Sequence, residues 1–556
     1  MDTCQYKNQA GAVLLIIMIS IILSASVFLL SNVSLNNKIS NQQQKTRHVL
    51  AQAKQALIDY AVNYYETNAL KQYALLPCPE LSGSSANGRQ QTGGCLPQDV
   101  NVIGRLPWFT LGIAPLVDGS GECLWYAVTG AYKFAASGQS KMLNDDTLGM
   151  FQLLDETANV VDGRIPEDRI VALVIAPGNP LSGQNRATAD TNVFCKVDRK
   201  VVDINDYLEA FNGINNAAVS TTPDNVDQFI TTSTLRNKKL NDQFIAIHQS
   251  DIFKAIHNNS AFQKNMDQLT HVLSSCIASY ARTQACNAGR QCIVGCNNVF
   301  NTCITNAAGS SSGEDACRVS RAQCLNINNC DGLCDIQNNG NSGSNNTQKD
   351  QMQLPLPASI DLFNTDYRLN KNYIDLTAAQ ANNNNIGLLG RYMFDVNNSI
   401  SDPAVNNIFE ACGEMDITGV SPTSINMVDI NNKYRRLWQH WKDHFFYVVG
   451  KDMTALNNNL SCGGGCPILT TTSQPQAAMV LFSAERLNNQ HRQSKPPEPS
   501  AYNIPTNFGK DVLTNYLELN INVYPDINGN KHYQKSSASN DIFYCIDTNL
   551  VAALCP

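Results

Sequence analysis

His440-Trp441-Lys442-Asp443-His444 sets two imidazoles one helical turn apart, the spacing at which one helix face can offer two zinc ligands. The glutamate of an H-E-x-x-H pair is missing, and Trp438, Trp441, Phe445 and Phe446 crowd the same stretch, so it reads as a helix that packs. Asp526-Ile527-Asn528-Gly529-Asn530 opens like a calcium loop, but no glutamate closes it at the required spacing. It reads as a turn, as does Asp118-Gly119-Ser120-Gly121-Glu122. No phosphate loop, no G-x-S-x-G and no nucleophile beside a base is present. The expectation is a non-enzyme with no catalytic residue, no metal and no cofactor.

Cysteine chemistry is the stronger signal. Of 19 cysteines, Cys4 precedes an apolar run and the other 18 follow it. An even set on one side suggests an oxidising compartment and disulfides rather than reduced thiols. Cys78 and Cys95 bracket a Gly/Ser/Asn loop and form a candidate local bridge. Cys123 and Cys195 are further disulfide candidates, Cys462 and Cys466 flank three glycines, and Cys545 and Cys555 bracket the carboxyl end. Between Cys276 and Cys334 lies a cluster with two C-x3-C pairs, Cys292/Cys296 and Cys330/Cys334. On helices that spacing puts both thiols on one face, as in a hairpin pinned by crossed disulfides. No histidine accompanies them, which argues against zinc.

The chain's 556 residues exceed what one core accommodates, so two or more domains are expected. A net charge of −7 gives no electrostatic footprint for nucleic acid.

Ala12 to Leu30 carries no charge, and its 19 residues would span roughly 29 Å as a helix. Beyond a polar bridge, Leu50, Ala53, Leu57, Tyr60 and Tyr64 mark one helical face. The expected element is one long helix, membrane-spanning and then amphipathic, anchored through Ala12, Ile16 and Leu30. A cleaved secretory signal with a site at Ser24-Ala25-Ser26 and a plain single-pass anchor are the competing readings. The cysteine split places the body on the oxidising side of that membrane, across from the short amino-terminal end.

Gln9-Ala10-Gly11-Ala12-Val13-Leu14-Leu15, leading into that helix, resembles the start of a type IV prepilin of the minor, PilX-like or large pseudopilin kind. The LPCP segment at Leu76, GRLPW at Gly104, DGSG with LWYAV from Asp118, and YLE at Tyr207 resemble a group of large pilin-like bacterial membrane proteins over about the first 250 residues. The resemblance implies that a prepilin peptidase cuts after Gly11 and that Ala12 is then N-methylated. It implies as partners the inner membrane, other pilin-like subunits and the pilus assembly machinery, with work in assembly, surface presentation or adhesion. It also suggests a carboxyl-terminal disulfide loop. The family's major pilins carry Phe and Glu where this chain has Ala12 and Ile16. That Glu neutralises a neighbouring subunit's terminus in a low-dielectric bundle, so its absence suits a subunit at the filament tip. The alternative is an anchored periplasmic binding or scaffold protein outside any filament.

The chain also repeats itself. Trp125-Tyr126-Ala127-Val128 matches Phe446-Tyr447-Val448-Val449, Val174-Ile175 matches Val480-Leu481, Gln184 and Arg186 match Gln490 and Arg492, and Tyr207-Leu208-Glu209 matches Tyr516-Leu517-Glu518, in the same order. Arg186 with Glu209, and Arg492 with Glu518, could be structural ion pairs, could bind a ligand, or could lie apart. The expected fold is α+β: a leader (1–11), the long helix (12–66), a pilin-like antiparallel sheet module (67–240), a second leading helix (241–281), a disulfide-rich helical insertion and Asn/Gly linker (282–350), and a second tandem pilin-like module (351–556).

Overall fold

The computed structural model describes residues 10–307 apart from 69–70, 82–86, 92–93, 96, 98, 135–140, 187–194, 196–202 and 233–238. Beyond these it describes chiefly 389–392, 436–450, 468–469, 476–487, 490–492, 509–510, 512–517, 532–533, 540–547 and 550–555. Side chains are described within 10–39 only at 18–20, and not over 279–297. The chain is a mixed α/β protein with two compact units, one comprising 1–60, 76–136 and 149–248, the other 61–75, 137–148 and 249–556.

Helix α1 runs unbroken from Ala10 to Thr67, with no glycine or proline after Gly11 to interrupt it. Its described face is that of an amphipathic helix. Thr46, Val49, Leu50, Ala53, Leu57 and Ile58 are buried, at the three- and four-residue spacing of one face. Among the described residues no helix is long and apolar enough to cross a membrane. That finding overturns the expected transmembrane segment and, with it, the single-pass inner-membrane placement. Most side chains of Ala12–Leu30, including Ala12, Ile16 and Leu30, lie outside the described residues. Past Leu30 the helix is polar, with Asn36, Asn37, Gln42, Gln43 and Gln44, before its apolar face begins.

In the first unit, β1 (Val102–Arg105), β2 (Trp125–Val128), β3 (Phe151–Leu154), β4 (Val160–Asp162) and β5 (Ile170–Ala176) lie in the order β1-β2-β5-β3-β4. A small hairpin pairs β6 (Ala210–Phe211) with β7 (Ile214–Asn215); β8 (Asp227–Ile230) joins β3 in parallel, and β9 (Gln243–His248) joins β5 antiparallel. Strand β5, Ile-Val-Ala-Leu-Val-Ile-Ala, is buried at every position, as a central strand covered on both faces must be. Thr46 and Lys54 tie α1 to this unit. Thr46 Oγ1 accepts from the Gly119 amide at 2.9 Å, and Lys54 Nζ donates to the Ala246 carbonyl at 2.9 Å. A Cβ on Gly119 would fall 2.1 Å from the Gln42 carbonyl oxygen, so this contact requires glycine.

The second unit holds α2 (Gln249–His257), α3 (Ser260–Ala307) and an antiparallel sheet of β10 (Leu389–Arg391), β11 (Phe445–Val449), β13 (Ala478–Phe482), β15 (Ile542–Ile546) and β16 (Ala552–Leu554), in that order. Strands β12 (Ile468–Leu469) and β14 (His532–Tyr533) form a separate parallel pair. Helix α3 packs on β13, β15 and β16, and Tyr544 donates to Asp267 Oδ1 at 3.1 Å. The residues from Asn241 do not begin a helix, as the sequence reading expects. Gln243–His248 completes the first sheet, the helices begin at Gln249, and α3 continues past 281 to Ala307. The alternating Phe244, Ala246 and His248 explain the error, since a half-buried strand beside β5 needs period two.

The two sheets share a register. Tyr126 faces Val174 as Tyr447 faces Val480, and Gly104-Arg105 pairs with Tyr126-Trp125 as Gly390-Arg391 pairs with Tyr447-Phe446. One core gathers Trp125, Ala127, Leu173, Ile175, Tyr207 and Leu208; the other gathers Phe446, Val448, Met479, Leu481, Tyr516 and Leu517. These are equivalent positions of the repeat.

Leu57 is fully buried on α1, whereas Gln52 is exposed on the same helix. Leu57→Ala should cost about 2–5 kcal/mol in denaturant unfolding, and Gln52→Ala less than about 0.5 kcal/mol. Equal effects would show that the α1 face is not packed as described.

Candidate functional site

Each unit buries an arginine just past the strand that pairs with its aromatic strand, β5 beside β2 and β13 beside β11. Arg186 donates from Nε to the Asp206 carbonyl (2.7 Å), from Nη1 to Gly178 (2.7 Å), and from Nη2 to Tyr207 (2.9 Å) and Gln184 Oε1 (2.7 Å). Arg492 repeats the pattern with Asn515 (2.6 Å), Ala484 (2.9 Å) and Gln490 Oε1 (2.9 Å). In both, the glutamine also accepts from a backbone amide, Leu181 or Leu487. A second arginine completes the motif. Arg105 lies 5.1 Å from the Tyr207 ring and Arg186 lies 5.0 Å from it, while Arg391 and Arg492 lie 4.3 and 4.9 Å from Tyr516. The Gly-Arg dipeptides at 104–105 and 390–391 carry the signal that could have placed Arg105 and Arg391 in the repeat.

The expected Arg186–Glu209 pair is present at 4.0 Å, with Glu122 at 3.5 Å, but the shorter contacts go to carbonyl oxygens. Glu209 turns instead toward Asp242. Its Oε2 accepts from the Asn241 and Asp242 amides, while Asp242 Oδ2 accepts from the Glu209 amide and Asn216 Nδ2. Burial raises the pKa of both carboxyls, and the Glu209 charge raises Asp242 further.

The second unit adds a feature without a counterpart among the described residues of the first. The loop 142–148 supplies Asn144, Asp145 and Asp146, and the 3-10 turn Lys442–His444 just before β11 supplies Asp443 and His444, all almost wholly buried. Asn144 Nδ2 donates to Asp443 Oδ1 and to the His440 carbonyl, both at 2.8 Å, and fixes the loop. Lys510 Nζ donates to Asp146 Oδ2 at 3.0 Å and also to Asp443 Oδ2, and the Tyr516 hydroxyl donates to Asp146 Oδ2 at 2.8 Å. Asp145 Oδ2 has His257 Nε2 at 3.3 Å and Arg492 Nη1 at 3.5 Å. His444 Nδ1 faces the Ser483 carbonyl at 3.0 Å, and its Nε2 lies 3.1 Å from Asp145 Oδ1 and 3.5 Å from Asp146 Oδ2.

The two imidazoles of the HWKDH stretch are therefore unlike. Burial, with Arg436 and Lys442 nearby, pushes His440 down to about 3, and its Nδ1 accepts from the Leu143 amide at 3.1 Å. Burial also works against the charged form of His444, but Asp145, Asp146 and Asp443 outweigh it and hold the group up at about 9. Burial opposes the Asp145 charge as well, yet His444, His257 and Arg492 keep this carboxyl well below its ordinary range. Asp145, Asp146 and His444 bring donor atoms within 4.8 Å of one another and could hold a metal ion. The sequence reading missed the two aspartates, whose only local signal is an acidic pair in a Leu-Asn-Asp-Asp-Thr loop.

Disulfides join Cys78 to Cys95, Cys123 to Cys195, Cys303 to Cys317 and Cys545 to Cys555. Cys292 and Cys296 stand on α3 with side chains outside the described residues, and Cys330, Cys334, Cys462, Cys466, Glu518 and the Asp526 turn lie wholly outside them. Asp118 holds a turn as expected, with Oδ1 accepting from the Ser120 and Glu122 amides and Oδ2 from Gly178.

The raised Glu209–Asp242 pair makes the first unit's stability depend on pH. A carboxyl whose pKa is higher folded than unfolded contributes stability below its unfolded value, about 4, and loses it as pH rises through the folded value. Unfolding followed in urea should therefore show stability falling above about pH 4, and Asp242→Asn should flatten that slope. An unchanged slope would contradict the paired burial. No protein-family model, curated protein or solved structure matches this chain.

Proposed function

We propose that this chain is a non-enzymatic, pilin-like filament subunit, a minor or tip component that presents two repeated sheet units from one amino-terminal helix. The observation that carries the reading is α1, 58 residues without a break, whose carboxyl-terminal half is buried against the first unit. The Gly11-Ala12 junction stands at the start of that helix, where the resemblance puts leader removal and N-methylation. A helix of this length is suited to packing among the helices of other subunits. Ile16, in place of the family's carboxylate, supports a terminal place in a filament, where no further subunit brings a charged terminus to be neutralised. Its work would be assembly, and presentation or adhesion at the filament surface.

Mass spectrometry of the mature amino terminus in a host with a prepilin peptidase tests this reading. An N-methylated Ala12 is the expected result. A chain that keeps Met1 would contradict it.

A further inference from the structure

We infer that Asp145, Asp146 and His444 form a closed structural site for one divalent transition-metal ion inside the second unit, an inference independent of the filament reading. The cluster is organised so that each ligand has one atom committed to the protein and one left over. Asp145 Oδ2 is held by His257 and Arg492, Asp146 Oδ2 by Lys510 and Tyr516, and His444 Nδ1 by the Ser483 carbonyl. The remaining atoms, Asp145 Oδ1, Asp146 Oδ1 and His444 Nε2, are buried and make no hydrogen bond of good geometry, although His444 Nε2 and Asp145 Oδ1 face each other at 3.1 Å. Buried polar atoms are rarely left so, and these three belong to residues whose ligand atoms lie within 4.8 Å of one another.

The arrangement matches what a metal demands. A ligating histidine normally donates its second ring N–H to a carbonyl or carboxylate, which fixes the tautomer that frees the other nitrogen, and Ser483 supplies that carbonyl. Ligands at 2.0–2.2 Å from one ion at tetrahedral or octahedral angles stand roughly 3.0–3.5 Å apart. The 3.1 Å separation of His444 Nε2 from Asp145 Oδ1 falls at that spacing, and the 3.5 Å contact with Asp146 is made to Oδ2, the oxygen that Lys510 and Tyr516 also hold. One imidazole and two carboxylates is a donor set suited to zinc or manganese rather than to a soft, thiolate-seeking ion. Trp441 and Tyr516 flank the imidazole at ring distances of 5.0 and 5.5 Å and keep it from solvent, so the ion would enter with folding and leave slowly.

The competing account is a metal-free cluster in which His444 is a buried imidazolium bonded to Asp145. The experiment uses the full oxidised chain with any free thiols alkylated. It is purified without chelator, assayed for bound metal, stripped with a chelator and titrated with Zn2+ and Co2+. The expected result is about one equivalent of tightly held metal, with thermal stability that falls on stripping and returns on reloading. The Co2+ form should show d–d absorption without a thiolate charge-transfer band. His444→Gln and Asp146→Asn should each lower the stoichiometry at least tenfold while the first unit's pH-dependent unfolding stays intact. If those variants fail to fold, the native chain still decides. Metal content below a tenth of an equivalent, no shift with chelator or Zn2+, and a His444 imidazolium signal in nitrogen NMR would overturn the site. A thiolate band would also overturn it, by placing the metal on cysteine.

Discussion

The structure depends on burying a guanidinium in each unit without leaving its donors unmet. Arg186 and Arg492 each tie a turn that leaves a sheet strand to the short 3-10 helix that precedes the Tyr-Leu pair, by donating to carbonyl oxygens on both sides. Charge-assisted bonds of this kind contribute about 1.5–3 kcal/mol each, and a guanidinium left with unmet donors costs at least as much. Lysine could not substitute, because one ammonium cannot span the three directions that the fork serves. The glutamine two residues earlier is part of the same device. It accepts from the arginine and from a backbone amide, so the guanidinium and the loop are held through one shared oxygen.

This constraint explains which parts of the fold were legible in sequence. Gln-x-Arg and Tyr-Leu recur because the clamp needs those atoms, and the aromatic strand recurs because the clamp's tyrosine packs on it. Strand β5 was legible as an unbroken apolar run, and the amphipathic half of α1 by its spacing. The start of the second unit was not. Gln243–His248 follows a loop and precedes a helix, and only its pairing with β5 tells which it joins. Nor did the sequence disclose that the arginines act chiefly on carbonyl oxygens, since backbone acceptors leave no residue type to read. The transmembrane expectation failed for a different reason. It rested on one apolar stretch, while the helix that contains it is defined, where described, by a packed amphipathic face.

The two copies have diverged at the carboxylates. In the first unit the acids beside the clamp are Glu122 and Glu209, the latter coupled to Asp242. In the second, the acid beside the clamp among the described residues is Asp145, paired with Arg492 and delivered by a loop together with Asp146, which Lys510 meets. One scaffold thus carries two electrostatic cores: one has carboxyls pushed up by burial, the other has carboxylates held charged by cations. A repeat that keeps its clamp while its charge cluster changes is a frame on which a local site can be added without altering the sheet.

Hydrogen exchange across the two clamps tests the central claim most directly. Arg186→Met should remove protection from amides in Ile204–Asp206 and at Tyr207 and Leu208 while Leu513–Asn515 stays protected, and Arg492→Met should do the reverse. Protection unchanged in both variants would contradict the account, because the turns would then be held without the buried guanidinium.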